Sequence, residues 1–587
     1  MNTQFGSLWL LGIGLALVAC SPQSTTTAPD PLASQVEAVM TAEIIPAELA
    51  GSDIRPEVGG LYGAVVSEHP LASQAGYEVL KAGGNAVDAA VTMAGVLAVV
   101  RPHMNGIGGD MLSLFYEADT GEVTALNASG RAGALATPEY YSAQGMERMP
   151  FTGVGTVTVP GAVAGWEAAL ERYGTLTLAQ ALAPAIRIAE EGFMVSATLA
   201  EDLHSSSARL NPYGQSIYRP DGEPLKAGDL LKSTDLAASL QRIATAGSRV
   251  MYEGELGAAV AAFLASENGM QTPADFSAHQ VDWVTPVSME FQGRTLHTMP
   301  PNSQGIVMLQ MMAMAETLPL AQRSANTVQL LHELVEITRI AFADRDRWVA
   351  DPLMAEVPVQ QLINREYLVQ RAGLIGETAG GARLPGFGNE AFEGEWPKPE
   401  TGGDTVYLMV VDREGNAVSW IQSLFGTFGS NLVVPGTGIV LHNRGAGFTL
   451  EAGHPNQVAP GKRPMHTLMN TLVTAADGSF EVAVGTPGGG GQPQFITQAL
   501  LKNLVFGMSP QQAVESPRFR IDDDVGLELE SRLPAEVISG LRALGHDISL
   551  TDGWTANFGS VQMIQRLPGG MLRTGADMRR EAAAMAY

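Results

Sequence analysis

The chain has 587 residues, 45% of them hydrophobic and one a cysteine, which supplies a sizeable core and excludes a disulfide framework. Aspartate and glutamate total 61 against 35 lysines and arginines, a formal net charge of -26. That excess argues against nucleic acid as a partner and favours a solvated acidic surface.

At the N-terminus, Leu8 to Ala19 is an apolar stretch of signal-peptide length, too short to cross a bilayer. It ends at Leu17-Val18-Ala19-Cys20, which resembles a bacterial lipoprotein cleavage box, although no Lys or Arg precedes the apolar run. A lone cysteine directly after such a pattern is better explained as a lipid attachment point than as a thiol catalyst. Residues 1–19 are therefore expected to be removed and Cys20 to be lipidated in a bacterial periplasm or cell envelope, with plain secretion as the alternative. Residues 20–50, rich in Ser, Thr, Pro and Ala, read as a flexible tether. No later apolar run is long enough to span a membrane, so the body from residue 51 onward is expected to be soluble.

Further along, Gly83-Gly84-Asn85-Ala86-Val87-Asp88-Ala89-Ala90 opens a helix, and Gly106-Ile107-Gly108-Gly109-Asp110 comes after it. Thr177 to Gly192 and Val328 to Trp348 carry helical apolar spacing, read as core packing. Pro300-Pro301-Asn302-Ser303-Gln304-Gly305 reads as a turn that caps the next helix.

The most informative junction is Thr405, between the segment Thr401-Gly402-Gly403-Asp404 and the apolar strand Val406 to Val411. A threonine hydroxyl is a weak nucleophile without a base beside it. Its own α-amine can be that base, but only once the preceding peptide bond is cut. A free α-amine titrates near pH ~8, so much of it accepts a proton near neutrality. The bland alternative is a threonine placed for β-propensity. After the strand, the polar turn Asp412-Arg413-Glu414-Gly415-Asn416 and a second apolar run, Ala417 to Gln422, predict a β-hairpin. Centred on Glu414-Gly415, that hairpin sets Thr405 across from Leu424 and within one position of Ser423. The Ser423 hydroxyl then either reaches Thr405 or caps the next loop. A third element, Gly485-Thr486-Pro487-Gly488-Gly489-Gly490-Gly491, joins a strand over Phe480 to Val484 to a helix over Phe495 to Leu501. Its exposed N–H groups suit an oxyanion or a phosphate, or form only a turn. It is not a P-loop, since no Gly-Lys-Ser/Thr comes after it, and Gln492-Pro493-Gln494 does not fit a dinucleotide fingerprint.

From about residue 55 to the C-terminus the chain resembles the γ-glutamyltransferase family of N-terminal-nucleophile hydrolases. The helix opening at Gly83, the run Gly106 to Asp110, Val159-Pro160-Gly161-Ala162-Val163-Ala164-Gly165-Trp166, Ala341-Phe342-Ala343-Asp344-Arg345-Asp346-Arg347, the junction at Thr405, Lys462-Arg463-Pro464 and Pro487-Gly488-Gly489 carry it in order. The resemblance implies a precursor that cuts itself before Thr405, giving a large subunit, residues 51–404, and a small one, residues 405–587. Together they would build one four-layered αββα sandwich and a heterodimer. Thr405 would attack an amide carbonyl, Ser423 would stand where the family has an assisting threonine, and the N–H groups of Gly488 and Gly489 would hold the oxyanion. No cofactor or metal is implied, and the ten histidines form no close ligand-spaced pair.

The substrate pocket departs from the family. In Asn127-Ala128-Ser129-Gly130-Arg131 the family's carboxylate-binding arginine falls at Ser129, with Arg131 two residues on. The acid that holds the substrate α-amine falls at Gly447 and its helper asparagine at Phe425. A carboxylate-binding serine pair corresponds to His466-Thr467, and a glutamine to Arg444. These changes keep or add cationic character and remove an anion, which favours a carboxylate-bearing acyl group without a charged α-amine; the alternative for Arg131, Arg444 and His466 is a scaffold role. Between Phe448 and Lys462 the segment is short compared with members that fold a lid there, so hydrolysis is expected to exceed transfer. Three functions are open: γ-glutamyl hydrolysis or transfer from glutathione or related amides; hydrolysis of another small carboxylate-bearing amide, oxamate-like or with an acyl side chain; and a non-catalytic surface lipoprotein.

Overall fold

In this computed structural model residues 55–381, 383–387, 404–522 and 526–587 are described. The expected leader, Cys20, the tether and Thr401-Gly402-Gly403 lie outside them. Strands gather into two seven-stranded sheets, each antiparallel throughout. One runs 583–586, 64–67, 404–411, 417–425, 110–116, 123–128, 282–284. The other runs 58–60, 572–576, 562–566, 480–485, 471–474, 294–298, 287–291.

The strand Asp404–Val411 shows how the layers arise. Every residue in it is buried, so it reads as a continuous apolar run, and its side chains alternate between two cores. Val406, Leu408 and Val410 join a core made with the helices Ala86–Val100, Ala162–Tyr173 and Leu178–Glu191. Tyr407, Met409 and Val411 face the other way and meet Leu472, Ala483 and Ile564 of the second sheet. That second sheet is covered outside by Gly305–Glu316, Val328–Trp348 and Gln492–Leu500. Helix, sheet, sheet, helix is the four-layered αββα sandwich that the family resemblance implies.

The helix signals translate closely. Asn85 accepts the N–H groups of Val87 and Asp88, and Asp88 accepts that of Asn85, a reciprocal cap on a helix whose 15 residues are all buried. Thr177 and Gln180 cap Leu178–Glu191 in the same way, and Gly192, at φ +93°, ends it. The helix expected over Phe495 to Leu501 begins earlier, at Gln492, and passes into a π turn at Leu501–Val505. Among the described residues no helix is long and apolar enough to cross a membrane.

The hairpin is present, but its register differs by one residue from the expected one. Thr405 pairs with Ser423 itself, and Val411 with Ala417. The loop explains the shift. Asp412 and Asn416 close it through Asp412 N–H to Asn416 O at 3.0 Å, the Asp412 carboxylate accepts the Asn416 N–H at 2.9 Å, and Gly415 takes φ +91°. The loop is therefore the odd-numbered Arg413-Glu414-Gly415 and not a two-residue turn. A bulge between Asp404 and Thr405 then sets Asp404 against Phe425.

Candidate active site

Period-two alternation places Thr405, like Tyr407 and Met409, on the face between the two sheets, at the end of its strand. Ser423 and then Asp110 lie beside it on the next two strands, because Thr405 pairs with Ser423 and Ser423 with Asp110. Thr405 Oγ1 donates to Ser423 Oγ at 3.0 Å, and Ser423 Oγ donates to the carbonyl of Asp404 at 2.8 Å. The same serine oxygen accepts the Phe425 N–H at 2.7 Å, which fixes its position. One hydroxyl thus joins the threonine that would attack to the carbonyl it would attack, and through the Phe425 N–H it also caps the strand end before the next loop. Phe425, at φ +79°, occupies a left-handed conformation that asparagine tolerates far better than phenylalanine.

The Asp404 side chain is buried. Its carboxylate accepts from the Thr427 hydroxyl and from Arg580 Nη2, the latter at 3.2 Å. Burial pushes its pKa above the usual carboxylate value, and the Arg580 charge opposes that push. Asp404, Thr427 and Arg580 line a cavity of about 500 Å³ together with Gly488. Gly488 of the glycine-rich turn therefore shares this cavity with Asp404, the residue before Thr405. Gly488 takes φ +129° and Gly489 φ +55°, and neither N–H has a hydrogen-bond partner among the described residues. A Cβ at Gly488 would sit 2.8 Å from the Phe495 ring, so glycine is required there on two counts. The loop expected to cap a helix does so, Ser303 Oγ accepting the Gly305 N–H at 3.1 Å, and the Gln304 side chain also holds the turn by donating to Gly489 O at 2.9 Å and Thr467 O at 2.7 Å.

The remaining sequence candidates fall into two groups. Arg444, His466 and Thr467 are brought together around Asp110: Arg444 Nε lies 3.2 Å and His466 Nε2 3.0 Å from Asp110 Oδ2, and Arg444 Nη1 donates to Thr467 Oγ1 at 3.1 Å. His442 Nδ1 approaches the same oxygen at 3.2 Å. Burial alone would raise the Asp110 carboxyl, yet His442 and His466 outweigh it and hold it well below the usual range. Burial and the neighbouring Arg444 push His466 down to about 3, so its ring is neutral, with Nε2–H donating to Asp110 and Nδ1 accepting the Leu468 N–H. The Arg444 guanidinium stacks 4.2 Å from the centre of the Phe425 ring. The added cation thus comes with its own anion, a pairing that its neighbours in sequence do not reveal.

Arg131 and Ser129 belong to the second group. The Arg131 guanidinium lies 3.3 Å from Asp351 and 3.4 Å from Asp282 and donates to Gly461 O at 3.2 Å. Ser129 donates to Asn127 Oδ1 at 2.6 Å. These are bonds of the scaffold, and they leave the expected substrate contacts of Arg131 and Ser129 without support. Nor does the Gly447 position have room for the missing acid, since a Cβ there would lie 2.6 Å from Met465 O. The short segment after Phe448 is tied down through Asn456, whose side chain bridges Gly447 O at 2.6 Å and the Met465 N–H at 2.9 Å.

Sequence spacing also missed a buried cluster of His332, Glu336 and His546, whose possible ligand atoms lie within 4.8 Å of one another. His332 and Glu336 are one helical turn apart, but His546 lies 214 residues from His332, so local spacing could not reveal the set. Glu336 already faces Arg339 and Arg383 and accepts the Gly380 N–H, so its charge is balanced.

A family model for gamma-glutamyltranspeptidase matches residues 72–587. The chain belongs to that family. It is an enzyme of the γ-glutamyltranspeptidase family, and its relatives are hydrolases named as proenzymes. It is 37% identical over 529 residues to the glutathione hydrolase-like YwrD proenzyme of Bacillus subtilis (strain 168), covering 89% of this chain and 98% of that protein. It is 35% identical over 542 residues to an oxamate amidohydrolase proenzyme of Klebsiella pneumoniae, covering 90% and 98%. The crystal structure of a cephalosporin acylase from Bacillus halodurans superposes with a TM-score of 0.85 at 35% identity, covering 91% of this chain and 97% of that one.

Proposed function

We propose that this family member cuts itself between Asp404 and Thr405, and that Thr405 then hydrolyses a small amide whose acyl group carries a carboxylate and no charged α-amine. In the first step Thr405 Oγ1 attacks the Asp404 carbonyl and gives its proton to Ser423, while Ser423 protonates the carbonyl oxygen. Collapse passes the proton of that oxygen to the nitrogen as the C–N bond breaks, leaves Asp404 esterified to Thr405, and frees the amine; water then releases Asp404 as the end of the large subunit, residues 51–404, paired with the small subunit, residues 405–587. In turnover the freed amine takes the hydroxyl proton as Thr405 attacks the substrate amide and passes it to the departing nitrogen. The N–H groups of Gly488 and Gly489 hold the oxyanion, and water cleaves the ester. The leader reading, with lipid on Cys20 and a place in the cell envelope, remains part of this proposal.

One observation carries the substrate class. Where a γ-glutamyl ammonium needs an acid, this chain has Gly447 and the Phe425 ring, and the nearby Asp110 is already engaged by Arg444, His466 and His442. Forgoing such an ion pair costs a ligand on the order of 2 to 5 kcal/mol. A second reading, γ-glutamyl hydrolysis of glutathione, is favoured by the names of relatives such as the glutathione hydrolase-like protein of Bacillus subtilis. Ammonia release from succinamate and oxamate, set against glutamate release from glutathione, separates the two, with Thr405→Ala as the blank. Processed protein is expected to favour a carboxylate amide in kcat/KM by roughly 30-fold or more. Faster glutathione cleavage would overturn the proposal in favour of the second reading.

A further inference from the structure

The cavity of about 500 Å³ beside Thr405 is unusual in its arginines: Arg101, Arg520, Arg579 and Arg580 all line it. Arg101 and Arg579 have lasting anionic partners. Arg101 lies 2.7 Å from Glu581, and Arg579 lies against Glu530 and Asp577. Arg580 differs. Its one ion pair among the described residues is with Asp404, its Nε is buried without a hydrogen-bond partner, and its Nη1 faces Met104 Sδ at 3.3 Å. Glu68 and Asp202 feel its charge without contacting it.

Asp404 is also the acyl group of the first reaction at Thr405. Its carbonyl is the one attacked, and its side-chain carboxylate, two carbons further on, rests between Arg580 Nη2 and the Thr427 hydroxyl. Cleavage cuts the tie between Asp404 and the strand, and every later turnover needs an acyl group in its place. Once Asp404 leaves, Arg580 loses its one direct ion pair among the described residues and keeps only the more distant charges of Glu68 and Asp202, a buried state that favours a new anion in contact. The cavity wall that held the Asp404 side chain also carries Gly488, so an incoming acyl group meets the oxyanion donor and Arg580 in one space.

We infer that Arg580 and Thr427 form the carboxylate-binding subsite of the mature enzyme, that Asp404 occupies it in the precursor as a built-in stand-in, and that the substrate acyl group is succinyl-like, with its carboxylate two carbons from the scissile carbonyl. This rests on the self-cleavage at Thr405 proposed above and adds the anchor and the acyl length. Turnover of such a substrate breaks the amide C–N bond, forms the Thr405 ester, gives the proton to the leaving amine and ends in a dicarboxylic acid by hydrolysis.

Calorimetric binding of malonate, succinate and glutarate, which needs no turnover, tests it. Processed wild-type protein is expected to bind succinate most tightly. The uncut Thr405→Ala precursor, its subsite filled by Asp404, binds it about 100-fold more weakly or not at all. Processed Arg580→Gln loses roughly 30-fold or more, and Thr427→Val loses less. Thr427→Val serves if Arg580→Gln fails to process, and the comparison of cut with uncut protein needs neither variant. Equal binding by the precursor, or wild-type binding in both variants, overturns the inference. Cleaved protein that hydrolyses another carboxylate amide but ignores succinate overturns it alone and leaves the proposed function standing. A wild-type chain that never cleaves overturns both.

Discussion

Ser423→Ala is expected to slow self-cleavage by about 10² to 10³-fold, the usual loss when one donor to a developing oxyanion is removed. Three bonds go with the hydroxyl. The Asp404 carbonyl loses the donor that polarises it, the Thr405 hydroxyl loses its acceptor, and the buried Phe425 N–H is left unpaired. An unpaired buried donor costs about 1 to 3 kcal/mol, so the variant should also be less stable. Ser423→Thr keeps the oxygen on a β-branched frame that suits a strand, and it is expected to process within tenfold of wild type. The rate at which the full-length band converts to two fragments measures both. Unchanged cleavage in Ser423→Ala would remove the serine from the mechanism.

Gly488→Ala is expected to separate the two reactions. In self-cleavage the carbonyl oxygen is held by Ser423, not by the glycine-rich turn, so the variant should still split into two fragments. Amide hydrolysis relies on the turn. A side chain at φ +129°, with its Cβ 2.8 Å from the Phe495 ring, must shift the backbone and swing the N–H away from the oxyanion. Turnover is then expected to fall by about 10² to 10³-fold, with the loss in kcat and not in KM. Loss of cleavage and turnover together would mean that one set of donors serves both reactions.

Much of this site is legible in the sequence because its signals are local. The apolar run after Thr405, the polar turn and the second run define a hairpin, and the glycines at 485–491 announce a turn whose backbone is accessible. The register differs by one because it depends on how Asp412 and Asn416 close their loop and on the bulge at Asp404, neither of which leaves a pattern in the chain. Charges are harder still. Arg444 looks like a cation offered to substrate until Asp110, 334 residues away, is found against it. Arg131 looks placed for a carboxylate, but Asp282 and Asp351 reach it first. Local sequence shows which residues carry charge, whereas only the fold shows which charges are already paired.

Arg580 and Thr427 are hidden in the sequence for the same reason. Arg580 sits in the run Asp577-Met578-Arg579-Arg580-Glu581, which no local pattern sets apart. In the fold Arg580 reaches Asp404 at the start of the Thr405 strand, and both arginine side chains are buried. The only available signal is two adjacent arginines near the end of an otherwise acidic chain. A γ-glutamyltranspeptidase-family scaffold in which Gly447 stands for the ammonium-binding acid and Phe425 for its helper asparagine fits the proposed change of acyl group at Thr405.

Self-cleavage before Thr405 is tested most directly by the intact mass of the purified protein beside that of Thr405→Ala. The expected result is two wild-type fragments whose masses fix the break before Thr405, the smaller spanning residues 405–587, and a single uncut and inactive chain for the variant. A single wild-type chain indistinguishable from Thr405→Ala, or a break at any other bond, would contradict it.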